Sequence, residues 1–103
     1  IYLSLPNRMH HEWTIKALHA GKHVLCEKPI ALDERETIEM YDAARAMDRR
    51  LVEAFMYRCH PQTTKLIETI RSGAIGRVKL IRSSFCYRVR SWQGNIRFSH
   101  ELA

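Results

Sequence analysis

The sequence predicts an α/β fold built on a doubly wound parallel sheet, followed by the start of a mixed α/β domain with a largely antiparallel sheet. Three observations predict it. Short apolar segments of strand composition stand at residues 1–5, 23–26 and 51–56, segments of helical periodicity separate them through short connections, and after Tyr57 the pattern changes to one helix and one long alternating stretch. Strands joined through helices by short connections favour right-handed crossovers between parallel neighbours.

Ile1-Tyr2-Leu3-Ser4-Leu5 reads as the first strand, and Pro6-Asn7 stops it, because proline brings no N–H to a ladder. Asn7 is placed to cap the helix that follows. From Met9 to Ala20 the apolar Trp13, Ala17 and Leu18 recur at helical spacing, Glu12, Lys16 and His19 supply polar surface, and Gly21 suits a left-handed stop. His23-Val24-Leu25-Cys26 shows no alternation, which a strand covered on both faces requires. Asp33-Glu34-Arg35-Glu36 reads as a capping box in which Asp33 accepts from backbone donors and Glu36 reaches back. Ile38, Tyr41, Ala44 and Met47 give the second helix its apolar side, and the third strand follows at Leu51-Val52-Glu53-Ala54-Phe55-Met56. Trp13 and Met56 read as core.

Pro61 is suited to open a third helix whose apolar side is Leu66, Ile67 and Ile70, and Gly73 to end it. Residues 77–90 then read as one long strand with Lys79, Ile81, Ser83, Phe85, Tyr87 and Val89 on one face. A domain boundary is expected near Tyr57 to His60, dividing the chain into residues 1–57 and 58–103.

With 46% hydrophobic and 27% charged residues among 103, the composition is ordinary for a globular protein. The longest apolar runs are a few residues, so no membrane helix is expected, and no basic-then-apolar leader is present. Ile1 is not a start methionine and the chain closes on Glu101-Leu102-Ala103 without a terminating element, so both ends read as cut from something longer. A cytoplasmic protein is the expectation.

The formal charge of +6 is concentrated at Arg71, Arg77, Lys79, Arg82, Arg88, Arg90 and Arg97, with Phe85, Tyr87 and Trp92 interleaved. That pattern suits a polyanion surface or a strand with one solvated or covered face; without a nucleic-acid-binding signature the second reading is preferred and no nucleic-acid partner is expected. Cys26, Cys59 and Cys86 are widely spaced, with no Cys-x-x-Cys pair, and His11-Glu12-Trp13-Thr14-Ile15 lacks the second histidine of a zinc helix. The three thiols are expected to be reduced and mostly buried, and no metal site is expected.

The most informative stretch is Leu25-Cys26-Glu27-Lys28-Pro29-Ile30-Ala31-Leu32, where an apolar strand runs into an acid, a lysine and a proline. Open parallel sheets hold ligands in the crevice outside the carboxyl ends of their strands, and Lys28 reads as the last strand residue at that edge. An amine at that edge stands where such sheets do their chemistry.

Taken together, Leu5-Pro6-Asn7, the string Ala20-Gly21-Lys22-His23-Val24-Leu25-Cys26-Glu27-Lys28-Pro29, Glu53-Ala54-Phe55-Met56-Tyr57-Arg58 and His60-Pro61-Gln62 closely resemble the Gfo/Idh/MocA family, nicotinamide enzymes of the glucose-fructose oxidoreductase and inositol dehydrogenase type. Gly73-Ala74-Ile75-Gly76 and Arg97-x-x-x-Glu101-Leu102-Ala103 extend the match over essentially the whole chain.

The resemblance implies the last third of a Rossmann domain, followed by the first helix and strand of a substrate and oligomerisation domain. It implies NAD or NADP as cofactor, a secondary alcohol of a sugar or polyol as substrate, and a homo-oligomer. By the same resemblance Lys28 is the catalytic side chain and touches both substrate and nicotinamide ribose. Leu5, Pro6, Asn7, His10, Glu27, Pro29, Arg58 and Arg97 are implied cofactor contacts, and His60 a substrate contact. Residue chemistry alone leaves open a strand-to-helix turn at Leu5 to Asn7, a solvated first-turn histidine at His10, and inter-domain hydrogen bonds at Arg58 and His60.

The four glycines, Gly21, Gly73, Gly76 and Gly94, form no Gly-x-Gly-x-x-Gly turn, so the pyrophosphate cradle is expected upstream and the second catalytic group downstream. The isolated chain is therefore expected to show no turnover. Competing readings are a non-catalytic interaction or regulatory module of the same ancestry and a small basic nucleic-acid binder.

Overall fold

The computed structural model describes residues 1–89, 91, 93, 95, 98 and 99. Contacts divide the chain into two compact units, one whose main body is Ile1–Ala54 and one that begins at Phe55.

The first unit is a three-stranded parallel sheet in the order β1 (Tyr2–Leu3), β2 (Val24–Cys26), β3 (Leu51–Glu53), connected by α1 (His10–His19) and α2 (Glu34–Ala46). In register, Tyr2 stands beside Leu25 and Leu25 beside Val52, while Leu3 stands beside Cys26 and Cys26 beside Glu53. The period of two divides these rows between the faces. Leu3, Val24, Cys26 and Leu51 are buried under the helices, whereas Tyr2, Leu25 and Val52 are 57%, 41% and 52% exposed. The expectation that the second strand is covered on both faces therefore fails within this unit. Strands added in one direction through right-handed crossovers receive their helices on one side, and α1 and α2 accordingly pack against each other on the same face.

In α1 the buried stripe is His10, Thr14, Ala17 and Leu18. Trp13, expected in the core, lies at the edge of that stripe and is exposed, with the Lys16 ammonium 4.7 Å from its ring centroid. Asn7 does not cap α1: it opens a short 3-10 turn, Asn7–Met9, and the helix begins from Met9 without a side-chain cap. Gly21 takes φ 72°, the left-handed conformation that ends α1 without the steric cost a side chain would bring.

The cap of α2 differs from a reciprocal box by one position. Asp33 accepts the Glu36 N–H at 2.8 Å, but the Glu36 carboxylate accepts from Leu32 N–H rather than from Asp33. Its buried residues are Met40 and Ala44, while Ile38, expected on the apolar side, is 52% exposed. Leu18 and Met40 are the largest of the fully buried side chains.

The second unit opens with a 3-10 turn, Met56–Cys59, and the helix α3 (Pro61–Arg71). Met56, expected in the core, is 84% exposed. Pro61 is the first residue of α3, and Gly73 just past its end has φ 76°. Residues 77–89, expected as one long strand of an antiparallel sheet, contain no strand. A strand exists by exchanging hydrogen bonds with a neighbour, and none pairs with this stretch among the described residues.

Candidate active site at the carboxyl edge of the sheet

Because the three strands are parallel, their carboxyl ends open onto one edge. The segment Leu5-Pro6-Asn7 leaves β1, Glu27-Lys28-Pro29 leaves β2, and Glu53 closes β3. Lys28 is not the last strand residue, since β2 ends at Cys26; it stands two residues further out, in the loop, where it is exposed. The bond that follows, Lys28–Pro29, is a cis peptide. Among the described residues the Lys28 ammonium makes no ion pair or hydrogen bond.

The backbone around that lysine is held from three sides. Glu53 accepts the Ile30 N–H at 3.0 Å, tying the loop to β3. The Pro29 carbonyl lies 2.8 Å from His10 Nδ1, tying the loop to α1. Glu27 stands 3.3 Å from the Lys28 N–H through its own carboxylate. A free, charged tip on a fixed base is what a group acting on a ligand requires.

Glu27 is half-buried, and its Oε1 accepts the Tyr2 hydroxyl hydrogen at 2.6 Å. Tyr2 pairs with Leu25, so Glu27, two residues on, is its diagonal neighbour on the same sheet face. The hydrogen bond from Tyr2 is the main reason the Glu27 carboxyl is held below its ordinary value; the Lys28 N–H and the charges of Lys28 and His10 act in the same direction. The same bond holds the Tyr2 phenol above its ordinary value.

His10 is not a solvated residue. It is fully buried, with Nδ1 and Nε2 each 2.8 Å from a backbone carbonyl, those of Pro29 and Leu5. Leu5, Pro6 and Asn7 are half-buried at the same edge. Arg58 and His60 belong to the second unit. Arg58 is exposed in the Met56–Cys59 turn, and His60 Nδ1 caps α3 by accepting the Gln62 N–H at 3.1 Å. Arg97 lies outside the described residues.

Two residues that hold the site escaped the sequence reading. Glu53 is an acid at the end of an otherwise apolar parallel strand, and that position was the available signal. Tyr2 carried none, since an aromatic residue in a strand is ordinary. No group of three or more His, Cys, Asp or Glu among the described residues is arranged to hold a metal ion, and no helix among them is long and apolar enough to cross a membrane.

The family model described as oxidoreductase family, NAD-binding Rossmann fold, matches residues 1–55. The chain belongs to this Gfo/Idh/MocA family. The β1-α1-β2-α2-β3 unit is thus part of a Rossmann fold.

An uncharacterised oxidoreductase of Rhizobium meliloti is 46% identical over 82% of the chain, and D-xylose 1-dehydrogenase (NADP(+)) 2 of Haloferax volcanii is 38% identical over all of it. A 3-ketoreductase from Actinomadura kijaniata, crystallised with NADP, superposes on 73% of the chain with a TM-score of 0.66 at 40% identity. The chain spans 25%, 31% and 24% of the length of these Gfo/Idh/MocA relatives.

The residues at the sheet edge fit one end of a dinucleotide. A carboxylate held ionised accepts from ribose hydroxyls, and a free ammonium donates to oxygen. No glycine-rich phosphate turn occurs among the chain's four glycines, so the pyrophosphate end finds no cradle here.

Proposed function

We propose that this chain contributes the nicotinamide-facing part of an oxidoreductase using NAD or NADP, which moves hydride between the cofactor and a secondary alcohol of a sugar, polyol or related compound. The observation that carries the proposal is the exposed Lys28 ammonium on a loop braced by Glu53, His10 and Glu27 at the carboxyl edge of a parallel sheet. The relatives' names, a xylose dehydrogenase and a ketoreductase crystallised with NADP, support the same chemistry.

When bound, the nicotinamide supplies the hydride acceptor or donor. In the reduction direction the Lys28 ammonium gives its proton to the substrate oxygen as negative charge develops there, and in the oxidation direction Lys28, as the neutral amine, takes the hydroxyl proton as hydride leaves carbon. Glu27 accepts from the nicotinamide ribose. Leu5, Pro6, Asn7 and Pro29 shape the wall along the nicotinamide, excluding water from one side. Arg58 and Arg97 as cofactor contacts and His60 as a substrate contact belong to the same proposal. So does the division into a cofactor-binding part, residues 1–57, and the start of a substrate and oligomerisation part, residues 58–103, in a homo-oligomeric cytoplasmic enzyme.

The test is Lys28→Met in the polypeptide that carries this sequence. Sugar-dependent reduction of NAD or NADP is expected to fall about 10²–10⁴-fold in kcat, with the fold retained and the cofactor KM barely moved. Undiminished turnover would sink the proposal.

A further inference from the structure

The most unusual group in the first unit is a buried imidazole with two acceptors. His10 is 0% exposed, and both ring nitrogens stand 2.8 Å from carbonyl oxygens, Nδ1 from Pro29 and Nε2 from Leu5. A carbonyl oxygen only accepts. A neutral imidazole has one N–H and one lone-pair nitrogen, so it satisfies one of these carbonyls and aims a lone pair at the other. Both contacts become hydrogen bonds only when both nitrogens carry protons. The surroundings are consistent with that charge. The charged groups on the loop that carries the Pro29 carbonyl are the Glu27 carboxylate and the Lys28 ammonium, of opposite sign. On α1 itself the buried Thr14 hydroxyl is neutral, and from α2 Glu39 engages His11 rather than His10.

We propose that His10 is a positioning residue: as a doubly protonated ring it ties the Leu5 carbonyl, after β1, to the Pro29 carbonyl, after β2, and so fixes where Lys28 stands relative to the Leu5-Pro6-Asn7 wall. The inference rests on the assignment of Lys28 above. Charge-assisted hydrogen bonds are short and strong, and a ring donating in two nearly opposite directions sets the separation of its two acceptors. Glu53 restrains Ile30, one residue past the same carbonyl, so the lysine loop is pinned on two consecutive residues.

Two measurements on the polypeptide carrying this sequence test the clamp. Nitrogen-edited NMR of the native protein is expected to find protons on both His10 ring nitrogens, exchanging slowly. A ring nitrogen without a proton overturns the proposal, and this holds even where substituted chains do not fold. His10→Ala is expected to lower kcat by about tenfold to a hundredfold while the cofactor KM barely moves, and added imidazole is expected to restore much of the loss by refilling the vacated space. Loss of kcat and KM together without rescue by imidazole overturns the positioning role. Lys28→Met assayed in parallel separates the two ideas: retained turnover there removes the lysine assignment, whereas the NMR result still decides whether the clamp exists.

Discussion

The carboxylate of Glu53, at the end of β3, accepts the backbone N–H of Ile30 at 3.0 Å, and Ile30 is itself buried. This single bond carries the order of the third strand into the loop that presents Lys28. It also explains why an acid ends an apolar strand: the part-buried Ile30 N–H lies in the loop after β2, where no strand neighbour among the described residues supplies an acceptor.

Glu53→Ala removes that acceptor and is expected to destabilise the protein by about 1–3 kcal/mol. Glu53→Gln keeps a side-chain carbonyl at the same reach and is expected to stay close to the parent. Urea denaturation of the two variants checks this, and equal losses in both would mean that the charge matters, not the hydrogen bond.

Tyr2 and Glu27 form a pair whose effect is visible in titration. The Glu27 carboxyl is held below its ordinary value mainly by the Tyr2 hydroxyl. A depressed folded-state value means the stabilisation is present above the unfolded carboxylate range and disappears as pH falls through the folded value. Tyr2→Phe is expected to move the Glu27 midpoint up toward the ordinary 4.5. Carboxyl-carbon NMR titration reads this directly; a midpoint unmoved by the substitution would assign the depression to the Lys28 N–H and neighbouring charges instead.

The core of the first unit makes opposite forecasts for two residues of one helix. Met40 is fully buried and Ile38 is 52% exposed. Met40→Ala is expected to cost about 2–5 kcal/mol through lost burial and the cavity left behind. Ile38→Ala is expected to fall within about 0.5 kcal/mol of the parent, as surface changes do. Thermal or urea unfolding distinguishes them, and a larger loss at Ile38 would mean that its face is covered in the protein in solution.

The order of strands and helices was legible because apolar periodicity, proline and glycine act locally: Gly21 and Gly73 take the left-handed conformations expected of helix stops, and Pro61 opens α3. The buried faces were less legible. Trp13 and Ile38 are apolar at helical spacing, yet the stripes that pack are centred on Thr14 and Met40, because the sheet under the helices selects the angle that faces the core. The stretch 77–89 alternates like a strand, but alternation describes a face, and a strand also needs an edge to pair with. At the sheet edge, the place of Lys28 just past an apolar parallel strand was legible. The Glu53 and Tyr2 contacts were not, since register across strands decides them.

The three cysteines were expected to be mostly buried, and the structure separates them: Cys26 is buried in β2, whereas Cys59 and Cys86 are exposed. Burial pushes the Cys26 thiol above its ordinary value, with the nearby Glu53 and Glu27 charges adding to that and Thr14 opposing it. A raised folded-state value means the thiol's contribution is fully present below the unfolded value and is lost as pH rises above it. Since the thiolate is the nucleophile, Cys26 is doubly protected, by lack of access and by retention of its proton. Iodoacetamide at mildly alkaline pH is expected to modify Cys59 and Cys86 and to spare Cys26 until urea is added, as mass spectrometry of peptides would report. Labelling of Cys26 as fast as Cys59 in the native protein would mean that β2 opens readily, and with it the base on which the Lys28 loop stands.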